Sequence, residues 1–92
     1  MKSILQDEKI CYVTGSPFDL HKHHIFYGTA NRKNSEKNGC WCWLRADWHN
    51  MSDYGVHNNF EFNLELRRQC QAKFEETHTR QEFMNIFKRN YL

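Results

Sequence analysis

The sequence predicts an α+β domain: a β-hairpin with a long internal loop, crossed by a helix, with a short strand in front and a helical tail behind. Three observations carry that expectation. The short apolar, β-prone runs all lie in the first half of the chain. The stretch from Val56 to Thr77 contains neither Gly nor Pro. Thr79 then opens a second helical pattern, with Glu82 three residues on, the spacing of a capping box. A chain of 92 residues is one domain with a small core. That core is expected over about 10–77 and the helical tail over 79–92.

Taken in order, Ile10-Cys11-Tyr12-Val13 is β-prone and stops at Thr14-Gly15-Ser16-Pro17, a turn sequence. Leu20 to Tyr27 is the second strand candidate and ends at Gly28. Thr29 to Gly39 is polar, without apolar periodicity, and reads as a loop. Cys40-Trp41-Cys42-Trp43-Leu44 is an apolar run suited to a strand pairing back on the one before. Asn50 to Gly55 is again loop-like. Beyond it Phe62, Leu66, Cys70 and Phe74 recur every four residues, with Phe60 and Leu64 in a parallel row, so this segment reads as a helix with one buried stripe. Arg67 and Arg68 fall off the stripe and read as a solvated face. Phe83, Ile86, Phe87 and Tyr91 continue at helical spacing.

No apolar run approaches the ~20 residues needed to cross a bilayer, and the N-terminus turns acidic at Asp7-Glu8. The expectation is a soluble, cytoplasmic protein with no membrane partner. The four cysteines, Cys11, Cys40, Cys42 and Cys70, include no pair with the two-residue gap of a zinc knuckle. They read as buried free thiols. The net charge of +2 is unevenly placed: Lys22, Arg32, Lys33 and Lys37 face one acid, Glu36, over sixteen residues. Such a cluster suits phosphate contact or a merely solvated loop.

Half of the six histidines lie in Leu20-His21-Lys22-His23-His24-Ile25, and His49 and His57 flank the loop ahead of the helical stretch. Neutral imidazoles ligate divalent ions. A histidine pair on a strand, facing others near a helix, can hold a metal and leave one ring free as a general base. His21 reads as a surface residue and His78 as a helix-boundary residue. Trp41, Trp43 and Trp48 read as core or hairpin-face residues, with base stacking as the alternative.

His23-His24-Ile25 with an aromatic and Gly28, then Asn31-Arg32-Lys33, Ser35-Glu36-Lys37, a Gly39-led strand and Trp48-His49-Asn50, resembles the HNH (ββα-metal) endonucleases. The likeness is to short phage- and prophage-type members and extends through Gly55-Val56-His57 to Phe83–Phe87. The resemblance implies a hairpin-plus-helix metal fold with a C-terminal helical extension. It implies cleavage of nucleic acid, DNA in the first instance, in a bacterial host cell. His24 would be the general base, and His23, His49 and His57 ligands of one divalent metal (Mg, Mn, Ni or Zn). Arg32 would sit over the phosphate, with Lys22, Lys33 and Lys37 as further nucleic-acid contacts.

The chain departs from that pattern in three ways. The positions of the family's structural zinc set are Cys11, Thr14, Arg45 and Trp48, so no structural zinc is expected and Trp48 would fill the space. The middle Asn has no clean match, Asn38 being nearest and Cys40 closer to the aligned strand position. His49 and His57 stand further apart than the usual spacing, so a loop must bring them together. Loss of the structural zinc set and of the middle Asn motivates one alternative, a phage-type binding protein that keeps the fold and contacts a host or phage protein or nucleic acid; a purely structural metal-binding module is a third reading.

Overall fold

The computed structural model describes all 92 residues. It is a small α+β assembly in which strand β1 (Leu20–His24) pairs antiparallel with β2 (Trp41–Arg45), setting His23 opposite Cys42 and His24 opposite Trp41. Between them lies α1 (Asn31–Asn38). After β2 come a single turn, α2 (Ala46–His49), a 3-10 turn (Val56–Asn58), α3 (Phe60–Phe74) and α4 (Arg80–Phe87). No helix is long and apolar enough to cross a membrane.

A two-stranded sheet is marginal alone, and the rest of the chain braces this one. Ile25 and Phe26, directly after β1, are buried with Cys40, Cys42 and Leu44 against Leu66, Cys70 and Phe74 of α3 and Phe83 and Phe87 of α4. The Phe26 ring lies 5.2 Å from Phe83 and 4.4 Å from Phe87. The capping box forms: Thr79 Oγ1 accepts from the Glu82 N–H, and Glu82 Oε1 accepts from the Thr79 N–H, both at 3.1 Å. Buried Gln71 ties down the tail, accepting from the Tyr91 N–H at 2.8 Å and donating to Asn90 Oδ1 at 2.8 Å. All four cysteines are buried and free.

Two expectations from the sequence are corrected. The segment Ile10–Val13 is not a strand but a turn-rich strap along β2. Only the Tyr12 N–H reaches a strand carbonyl, that of Trp43 at 2.8 Å, while the Gln6 side chain supplies the acceptor for the Trp43 N–H at 2.6 Å. β-propensity counts only where a full row of backbone partners is available, and here the chain turns back at Gly15, with φ +77°.

The second correction is α1, which stands where a loop is expected. Its sequence NRKNSEKN has no apolar residue, and Ser35 alone is buried. That hydroxyl donates to the Phe26 carbonyl at 2.6 Å and accepts the Phe26 N–H at 3.1 Å, fastening the helix to the end of β1. Gly39 closes the helix in the left-handed region at φ +69°, its N–H donating to the Ser35 carbonyl.

The helical stretch also begins later than its composition suggests, because Asn59 caps α3, its side chain accepting from the Phe62 N–H. Leu66, Cys70 and Phe74 form the buried stripe; Phe62 is half-buried and Phe60 lies 79% exposed.

With only 11 residues in the main core cluster, one aromatic carries a large share of the stability. Phe74→Ala should cost about 3–5 kcal/mol, against a total of about 5–15 kcal/mol for a domain. Urea unfolding of the variant checks this, and an unchanged midpoint would contradict the packing of α3.

Candidate metal centre

Alternation along β1 divides its side chains between two neighbours. His21 and His23 face His49 at the end of α2, while Lys22 and His24 face Glu36 of α1. The ring nitrogens of His23, His49 and His57 come within 4.8 Å of one another. His49 and His57 are closest, with 3.0 Å between their Nε2 atoms. Three imidazoles on one tetrahedral ion stand about 3.4 Å apart at metal–nitrogen distances of about 2.0–2.1 Å. The cluster is therefore of ligand dimensions, and binding would draw His23 inward.

The eight-residue step from His49 to His57 is spanned by a tight turn. Tyr54 Oη donates to Asp47 Oδ2 at 2.7 Å, and Asn58 Nδ2 donates to the Ser52 carbonyl at 2.9 Å. Gly55 passes directly over the end of α2: a Cβ there would stand 2.8 Å from the His49 carbonyl oxygen and 2.9 Å from that of Asp47. Absence of a side chain at Gly55 is what lets the chain return and present His57.

The environment keeps these rings neutral, as ligands must be. His23 is 2% exposed; burial first, then the charges of His57 and His49, pushes its pKa down to about 3. Burial, with His57 and His21 beside it, lowers His49 to about 4. His57 is lowered as well, by burial and by Arg67. The donor set thus fits a borderline divalent ion. Three histidines leave a coordination position free, as catalytic rather than structural sites do.

The cluster opens into a cleft of about 430 Å³ lined by Lys22, His24, Tyr27 and Arg32 as well as the three histidines. His24 Nε2 lies 3.1 Å from Glu36 Oε1. The His24 ring and then Lys22, 3.2 Å away, hold the Glu36 carboxyl below its usual range, so it is an ionised acceptor. Lys22 also lies 4.0 Å over the Trp41 ring. Arg32 stands one helical turn before Glu36 and lines the cleft. Lys33 and Lys37 are exposed, occupy the neighbouring row of α1 and do not line it.

Several participants are not marked in the sequence. His21, which reads there as a surface residue, is half-buried with its Nδ1 2.9 Å from Nδ1 of His49. With His49 Nε2 turned to the cluster, its Nδ1–H can donate to His21, an outer contact of the kind that orients a ligating imidazole. The two-residue step from His21 to His23 on a strand was the available signal. Glu36 is visible as a partner only once α1 is known to be a helix. Arg67 is not a free helix face: its guanidinium lies 4.9 Å over Tyr27 and 5.5 Å over Tyr91. His78 stacks on Phe74, away from the cleft. Cys11 Sγ accepts the Arg45 N–H at 3.2 Å, and Trp48 packs on Tyr54 and Phe62.

No protein-family model, curated protein or solved structure matches this chain.

Burial of His23 has a measurable consequence without metal. Unfolded, its ring takes a proton near the ordinary histidine value of about 6.5; folded, it resists until about pH 3. Between those values the unfolded chain binds the extra proton, so stability is retained above the unfolded value and lost as pH falls. Urea unfolding in EDTA should show less stability at pH 5 than at pH 7, about 2 kcal/mol of it from His23, and His23→Leu should shrink the dependence to what the lowered His49 and His57 still contribute. Equal stability of the wild type at both pH values would contradict a neutral buried His23.

The turn at Gly55 supplies a second test. Gly55→Ala should displace His57 and weaken divalent-metal binding by about 10- to 100-fold, the scale seen when a ligand loses its support. Competition with a chromogenic chelator measures this, with the circular dichroism spectrum unchanged.

Proposed function

We propose that the chain is a metal-dependent endonuclease of the HNH (ββα-metal) type, hydrolysing phosphodiester bonds in nucleic acid, DNA in the first instance. One observation carries the reading. Three neutral histidines of ligand dimensions share one cleft with a fourth, His24, that is held by a carboxylate and flanked by Lys22 and Arg32.

His23, His49 and His57 would hold a single divalent ion. Bound there, the ion would supply positive charge against the phosphate oxygens and the leaving oxygen. The remaining work falls to the protein's side chains. The Glu36 carboxylate accepts from the Nε2–H of His24, which fixes the tautomer and leaves the lone pair on Nδ1. His24 can then take a proton from an attacking water in the cleft, and its developing charge is met by Glu36. Lys22 shares that carboxylate and limits the excess negative charge near the phosphate. Arg32, exposed at the rim, presents a fixed fork of donors to the phosphate oxygens. In this mechanism Glu36 is the residue that orients His24.

The test compares plasmid nicking by the wild type in Mg, Mn, Ni and Zn with nicking by variants, alongside metal content by mass spectrometry. His24→Ala should keep the metal and lose about 10²–10⁴-fold in rate, the scale of a missing general base. Glu36→Gln should also keep the metal and lose less. His23→Ala should lose metal and cleavage together. A wild type that cuts with none of these ions, or a His24→Ala protein that cuts as fast as wild type, would overturn the mechanism. A non-catalytic binding protein would then be the better account.

A further inference from the structure

A second recess adjoins the cleft, and the two share the Tyr27 ring as a wall. On one side that ring lies 5.0 Å from His57 and 6.0 Å from His23. On the other it lies under the Arg67 guanidinium, and its hydroxyl accepts from Asn63 Nδ2 at 2.6 Å. The recess measures about 160 Å³. Phe60, Leu64 and Tyr91 supply its apolar walls, and Arg89, 5.2 Å from the Tyr91 ring, stands at its edge. Two arginines and no carboxylate line it.

Phe60 is the feature that folding leaves without a purpose. It occupies the first position of α3, 79% exposed, and lies outside the core cluster and the hydrophobics packed on it. An exposed aromatic beside arginine-stacked tyrosines, next to a cleft lined by Lys22 and Arg32, has the composition of a base-stacking platform.

We infer that this recess receives one unpaired nucleobase of a strand whose neighbouring phosphate lies in the histidine cleft, a subsite that rests on the nuclease reading above. The base would stack on Phe60, with the Tyr27 hydroxyl and the Asn63 amide near its edge and Arg89 beside its phosphate. A base held in a duplex cannot enter a recess this small without leaving its stack. The preferred substrate is therefore single-stranded, frayed or flapped nucleic acid rather than an intact duplex. Arg67, fixed between Tyr27 and Tyr91 and by its donation to the Ile25 carbonyl at 3.3 Å, is the rigid side of the site, and Phe60 the adaptable one.

The experiment is fluorescence anisotropy with a labelled eight-nucleotide thymidine oligomer, in EDTA so that nothing is cut. The wild type should bind the single strand more tightly than a duplex of equal length. Phe60→Ala, a change at an exposed position, should weaken single-strand binding by about 5- to 100-fold, the worth of one base–aromatic stack. Phe60→Trp should restore it, and Arg89→Gln should weaken it less than the loss of Phe60. No binding by the wild type, equal binding of single strand and duplex, or Phe60→Ala binding like wild type would each overturn the subsite. So would equal displacement by an oligoglutamate, which would reveal a contact made through charge alone. Metal content and plasmid nicking are read separately. A protein that binds the strand as expected yet cuts with no metal keeps the subsite and loses the nuclease reading, and the reverse pattern separates them equally well.

Discussion

The register of two five-residue strands governs the arrangement of the whole site. Pairing His23 with Cys42 turns His21 and His23 toward His49, and Lys22 and His24 toward Glu36. A slip of one residue would exchange the two sets, sending a lysine into the histidine cluster. Such short strands cannot hold register through their own hydrogen bonds alone. The Ile25 N–H donates to the Cys40 carbonyl at one end and the Ala46 N–H to the Asp19 carbonyl at the other, each continuing the ladder beyond the strands. The burial of Ile25, Cys42 and Leu44 then makes any other register expensive.

From this hairpin the remaining elements follow as supports with different chemistry. α3 and α4 close an aromatic core over Phe26. α1 contributes nothing apolar and is attached through polar groups: the buried Ser35 hydroxyl on Phe26, Asn34 on the Ile86 carbonyl, and Glu36 on Lys22 and His24. That division lets α1 devote its exposed rows to charge, with Arg32 and Glu36 toward the cleft and Lys33 and Lys37 away from it. The turn through Gly55 plays the corresponding part on the other side, spending its polar contacts on Asp47 and Ser52 so that His57 can face His49.

The parts of this architecture legible in the sequence are those written in apolar periodicity or capping chemistry. The Cys40–Leu44 run, the four-residue spacing through Leu66, Cys70 and Phe74, and Thr79 with Glu82 all state their role locally. α1 could not be read that way, since a helix whose single buried residue is Ser35 has no periodic signal, and Gly39 alone hints at its end. Ile10–Val13 misleads in the opposite direction, having strand-like residues but no complete backbone partner. The candidate site follows the same rule. His23, His49 and His57 were legible as histidines near predicted element ends. The contributions of His21 and Glu36 depend on pairings across 28 and 12 residues that only the folded chain makes.

The N-terminal strap along β2 has a consequence for how copies of the protein behave together. An unpaired strand edge is a template for another chain, and β2 would present one on the side away from β1. Tyr12, Gln6 and Ser3 occupy that side instead, satisfying the Trp43 carbonyl, the Trp43 N–H and the Trp41 carbonyl in turn, two of the three through side chains. Because side chains do the pairing, the strap ends the sheet without becoming a strand that would itself offer a new edge. The first dozen residues thus work as a guard against edge-to-edge aggregation, so the solubility of a shortened chain depends on whether that guard is retained.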